Sequence, residues 1–142
     1  MADSKLISTA IFGSFDGMTS AMGIMLPLLS SPHELLLGTL GVGIASTIGM
    51  GLGEWQSDSS SGWKPAVAMA VASGAGVLIP VIPFLFLSGS AALLVSIAIV
   101  ISVTAFIAKE RVSEKRSYWK AARESFTILA ITALAVWFGC KL

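Results

Sequence analysis

In the run GSFDGMTS, residues 13–20, Asp16 is the one charged residue among small and apolar neighbours. A carboxylate in such a setting can bind a cation, carry a proton, or hydrogen-bond another helix. An ionisable group at mid-span costs at least about 2.5–3.5 kcal/mol on insertion scales, and by default it faces the bundle interior as a functional group. Further along, Ser46, Met50 and Glu54 follow one another at intervals of four, and Asp58 continues the line. Residues at that spacing share one helix face, so the stripe offers a thioether with acid at its end, and Asp16 can complete it from another helix. Mixed oxygen and sulfur donors suit ferrous or manganous ions better than Mg2+, which takes hard oxygen ligands in near-ideal octahedra. Asp16, Met50 and Glu54 are therefore the candidate metal ligands. One chain supplies few donors, which makes a site shared by two chains attractive.

Other residues carry less. Met18, Met22 and Met25 form a second stripe on the segment of Asp16, and flexible thioethers of this kind are core fillers before they are ligands. His33, the only histidine, sits between Pro32 and Glu34 and reads as a surface residue. The single cysteine, Cys140, excludes an intrachain disulfide and a cysteine-built metal cluster. No cluster of histidine, cysteine and serine supplies a nucleophile, so the expectation is that the chain is not an enzyme and has no cofactor.

The elements that must hold these side chains are apolar helices. Of 142 residues 55% are hydrophobic and 12% charged, and the mean hydropathy is +0.86, far from the globular average of roughly 25% charged. A bilayer core about 30 Å thick needs about 20 mostly apolar residues per helix. Five windows of that kind fall near 6–30, 35–53, 65–87, 91–108 and 122–140. They lack the ten-residue alternation of a membrane barrel strand. The fold class predicted is an all-α integral membrane protein of five transmembrane helices in one domain, 1–142. Residues 1–30 read as a true span rather than a cleaved signal peptide, because Asp16 interrupts the apolar run and no clear small-residue cleavage site follows.

Net charge is +1, which gives no reason to expect nucleic acid. Lys109, Arg111, Lys115, Arg116, Lys120 and Arg123 all fall between the fourth and fifth spans, so the positive-inside rule puts that connection and the N-terminus in the cytoplasm and the C-terminus on the opposite side. Glu110, Glu114 and Glu124 in the same stretch predict a partly self-paired segment, with anionic lipid as its other contact. Trp55, Trp63, Trp119 and Trp137 lie near span ends, as interfacial anchors do. Ala45, Gly49 and Gly53 make one side of the second span smooth enough for close helix approach, within the chain or between two copies. Pro80 and Pro83 in LIPVIPF predict a kink or unwound end in the third.

These segments bear a resemblance. FDGMTS in the first span and STIGMGLGEWQS, residues 46–57, resemble the two signature segments of the vacuolar iron transporter family, with Asp16, Gly17, Met50, Gly53, Glu54, Trp55 and Ser57 on the matching positions. LIPVIPF resembles the family's proline-rich third helix and WKAARESFTILAITALAVWFG its last, so the likeness runs through the chain in order. Phe15 stands where the family often has asparagine, and Gly49 where it has serine. Many members carry an acidic metal-binding domain between the second and third spans, and only WQSDSSSGWK stands there here, as in the shorter members. The resemblance implies proton-coupled export of ferrous iron or manganese from the cytosol by a homodimer, with Asp16 and Met50 on the ion path and Glu54 at its cytoplasmic side. The short form points to a bacterial inner membrane rather than a vacuolar one. The competing expectation is a membrane scaffold in which Asp16 only ties helices together.

Overall fold

The computed structural model describes residues 2–58, 60, 62–112 and 117–139. Cys140, Lys141, Glu114, Lys115, Arg116 and the side chain of Trp137 lie outside the described residues.

Five α-helices follow in order: α1 (Ala2–Met25), α2 (Pro32–Ser57), α3 (Trp63–Leu78), α4 (Gly89–Glu110) and α5 (Tyr118–Gly139), with a 3₁₀ segment (Ile79–Leu85) continuing α3. Local chemistry sets the limits. The first helix ends at Met25, five residues short of the expected 30, because the residue before a proline avoids the α conformation and Leu26 precedes Pro27; turns then occupy 26–30. Pro32 opens α2, where its missing N–H is no loss and its fixed φ already suits a helix. The expected unwinding at Pro80 and Pro83 takes the form of the seven-residue 3₁₀ segment. Gly62 and Gly89 have φ of 74° and 58°, a left-handed backbone that glycine adopts without strain, and each turns the chain sharply into the helix that follows.

Three segments are long and apolar enough to cross a membrane: α2, α3 with its 3₁₀ extension, and α4. The remaining two match them in length, at 24 and 22 residues, but α5 opens with Lys120, Arg123 and Glu124, and α1 carries Asp16 among many Ser, Thr and Gly residues. The polar character of α1 follows from its place, for it packs against every other helix and the 3₁₀ segment. Thr9, Gly13, Gly17, Ala21 and Met25, each four apart, are buried along one side of it.

That side meets α3. A methyl group on Gly13 would lie 2.6 Å from the carbonyl oxygen of Met69, and one on Gly76 2.6 Å from that of Ser14. On the other flank of α3, a methyl on Gly51 of α2 would lie 2.8 Å from the Ala70 side chain, and one on Gly74 would overlap the Thr47 hydroxyl. Small residues thus bring three backbones together, the packing mode open to helices without a hydrophobic drive between them. Met25, Val77, Val81 and Phe84 close one end of the core. Met18, Val100, Ile107 and Leu129 fill the space between α1, α4 and α5.

The outside is oily. Ile44, Leu52, Val71, Leu94, Phe106 and Ile131 all stand more than half exposed, and apolar surface on that scale marks contact with lipid or another protein.

Candidate functional site

Because α1, α2 and α3 approach so closely, short side chains can touch across them. Ser46 of α2 donates its hydroxyl to Asp16 Oδ2 at 2.8 Å. Ser73 of α3 lies 3.4 Å from the same oxygen and 2.8 Å from the Ser46 hydroxyl. Since the one hydrogen of Ser46 goes to the carboxylate, its oxygen accepts the hydrogen of Ser73, and the chain of bonds runs from Ser73 through Ser46 to Asp16. Ser73 is completely buried; Asp16 is half-buried.

Both contacts fall on Oδ2. Oδ1 accepts no hydrogen bond from any described residue, and no fully buried side-chain oxygen or nitrogen among the described residues lacks a partner. Oδ1 is therefore open to a water, a cation or a proton. This differs from the other buried hydroxyls. Thr39, Ser96 and Thr104 bond back to the carbonyls of Leu35, Ala92 and Val100 in their own helices, the ordinary use of a hydroxyl in an apolar helix.

Glu54 is not at this centre. It lies eight residues along α2 from Ser46, about 12 Å at 1.5 Å per residue, and pairs with Lys5 of α1 at 3.5 Å. Lys5 also binds the Asp58 carboxylate. The hydrogen bond to Asp58, opposed by partial desolvation and aided by the charges of Asp58 and Glu54, holds the Lys5 ammonium above the usual lysine range. The stripe expected on α2 is thus present as a stripe: Ser46 meets Asp16 at one level, Glu54 and Asp58 meet Lys5 at another, and half-buried Met50 occupies the turn between. Among the described residues, no three side chains of His, Cys, Asp or Glu are gathered to hold a metal ion, so the donors come as a row rather than a cage.

The methionines of α1 pack as expected, Met18 and Met25 within the apolar core and Met22 against it. His33 is exposed in the first turn of α2. In the basic segment the self-pairing appears as an ion pair of 3.3 Å between Arg111 and Glu124, and Arg111 also donates to the buried Ser125 at 2.9 Å.

Sequence reasoning missed Ser73, Lys5 and the Gly13–Gly17 approach. The four-residue glycine spacing is legible in GSFDG, whereas Ser73, the one hydroxyl-bearing residue in α3, carries no signal that sets it apart from an ordinary serine of an apolar helix. Comparison of the chain with family models, curated proteins and solved structures found no match.

Proposed function

We propose that this chain is a five-span integral membrane protein that moves ferrous or manganous ions out of the cytosol in exchange for protons. Its N-terminus is cytoplasmic, its C-terminus lies on the opposite side, and its home is a bacterial inner membrane rather than a vacuolar one. The observation that carries the reading is the Asp16 carboxylate: it lies in the innermost helix, one oxygen is anchored by the Ser46 hydroxyl of α2, which Ser73 of α3 holds in turn, and the other oxygen is open. A carboxylate so placed can exchange a metal ion for a proton without losing its position. Glu54 and Asp58 form an acidic mouth on the same side of α2, and Met50 supplies a thioether between mouth and centre. The likeness of FDGMTS and STIGMGLGEWQS to the vacuolar iron transporter signatures supports the same roles.

The working unit is a homodimer. Gly41, Gly49 and Gly53 of α2 face open space, with nothing within 4 Å of an added methyl, and Ala45 on that line is exposed. The smooth face is thus not used within the chain and suits a second copy.

The test is flux of Fe2+ and Mn2+ into proteoliposomes under an imposed pH gradient. Native protein moves metal; Asp16→Asn does not, and Met50→Ala is slowed. A second reading, a scaffold without transport, draws on the same hydrogen bonds, because Ser46 and Ser73 tie three helices through Asp16. It gains if folded native protein moves neither ion; full native flux from Asp16→Asn would instead remove Asp16 as the ion-handling group.

A further inference from the structure

We propose that Ser73 belongs to the ion site, and that Asp16, Ser46 and Ser73 form an oxygen triangle selective for hard divalent cations such as Mn2+ over soft ones such as Cd2+. This deepens the transport reading and rests on it for the identity of Asp16 as the ion-handling group.

The geometry carries the argument. The three oxygens, one from each of three helices, are separated by 2.8, 2.8 and 3.4 Å. In an octahedral sphere with metal–oxygen distances of about 2.0–2.4 Å, neighbouring oxygens lie about 2.8–3.4 Å apart. A cation can therefore take this triangle as one face of its coordination sphere with the oxygens almost where they stand. Binding needs only that the hydroxyl hydrogens rotate off the oxygens they now face, so that each hydroxyl presents a lone pair to the cation. Asp16 supplies the negative charge, and its open Oδ1 provides a fourth donor or a place for a metal-bound water.

The triangle is also rigid. Gly13 and Gly17 bring α1 onto α3 so tightly that Ser73 cannot shift without separating backbones, and Ser73 is wholly buried. Hard, fixed oxygen donors select hard cations, whereas the thioether of Met50 one turn away favours softer ions. Ion preference is then set by two levels of the same row, with Ser73 on the hard side.

Mn2+ binding to the detergent-solubilised full chain, followed by electron paramagnetic resonance and by competition with Cd2+, tests this without requiring transport. Ser73→Cys keeps the side chain's shape and replaces the hard oxygen by sulfur; it is expected to raise the Cd2+ over Mn2+ preference by about tenfold or more. Ser73→Ala weakens Mn2+ binding by about tenfold, and Ser73→Thr, which keeps the hydroxyl, restores it. If Ser73→Cys does not fold, Ser73→Ala and Ser73→Thr decide alone. Mn2+ affinity and preference within about twofold of native in the folded variants overturn the proposal, as does native protein that binds no Mn2+. Proteoliposome flux separates this outcome from the broader one: Ser73-dependent Mn2+ binding without flux overturns transport and leaves the triangle standing, while flux indifferent to Ser73 does the reverse.

Discussion

Gly17 of α1 and Gly76 of α3 meet backbone to backbone: a methyl on Gly17 would lie 2.8 Å from the Gly76 Cα and would overlap the Ser73 carbonyl oxygen. The contact fixes how near Ser73 comes to Asp16, so it links packing directly to the site.

Gly17→Ala must push α3 away, because the obstructing atoms are backbone and cannot rotate aside. Overpacking of this kind costs about 1–3 kcal/mol. The variant should melt earlier in detergent and bind Mn2+ less well, whereas Gly139→Ala, whose methyl enters open space at the end of α5, should do neither. Equal melting of the two variants would sink the packing argument.

Arg111 ties α4 to α5 through the buried Ser125 and through Glu124. Arg111→Ala leaves the Ser125 hydroxyl without its donor, and a loss of about 1–3 kcal/mol is expected for an orphaned buried polar group. Thermal unfolding followed by circular dichroism measures it; Arg111→Lys should recover part of the loss, since one ammonium can reach one partner but not both.

Lys5 holds the two carboxylates that the proposed transport places at the metal entry. Lys5→Ala should increase flux at low metal concentration by several-fold while changing the maximal rate little, a split read directly from rate against metal concentration. An unchanged concentration dependence would mean that Glu54 and Asp58 are not part of the entry.

The same link has a defined pH window. The Lys5 pKa is raised from 10.5, so its contribution to stability is whole below that value and is lost as pH climbs through the raised one. The difference in melting temperature between native protein and Lys5→Ala should therefore stay level from about pH 8 to about pH 10 and shrink only beyond.

If α2 forms the seam between copies, Gly49→Cys in a Cys140→Ser background should cross-link to itself in membranes. A cysteine at Leu94, exposed on α4, should not. Cross-linking at Leu94 and not at Gly49 would place the seam elsewhere.

All five helices were legible from apolar run length, because every expected span coincides with a helix to within a few residues at most ends. The end of α1 was not, since the run stays apolar through Pro27 and only the backbone preference before proline stops it. Asp16 was legible by its isolation, and Ser46, Met50 and Glu54 by their spacing. Ser73 was not, because a lone serine in an apolar helix ordinarily does what Ser96 does and returns its hydrogen to its own helix. Only the tertiary approach through Gly13 and Gly17 gives it a carboxylate to reach. The small residues of α2 make the same point. Thr47 and Gly51 lie on one line, Gly49 and Gly53 on another, and composition alone does not say that the first is covered by α3 and the second is bare.

The 3₁₀ segment after α3 also acts as a ruler. A 3₁₀ helix rises about 2.0 Å per residue against about 1.5 Å in an α-helix, so the 23 residues from Trp63 to Leu85 reach about 38 Å, nearly the about 39 Å of the 26-residue α2. Two prolines stretch a shorter sequence to its neighbour's height. Were both replaced so that the segment relaxed to α, it would fall short by about 3.5 Å, and the turn at Ser88 and Gly89 would have to stretch to meet α4.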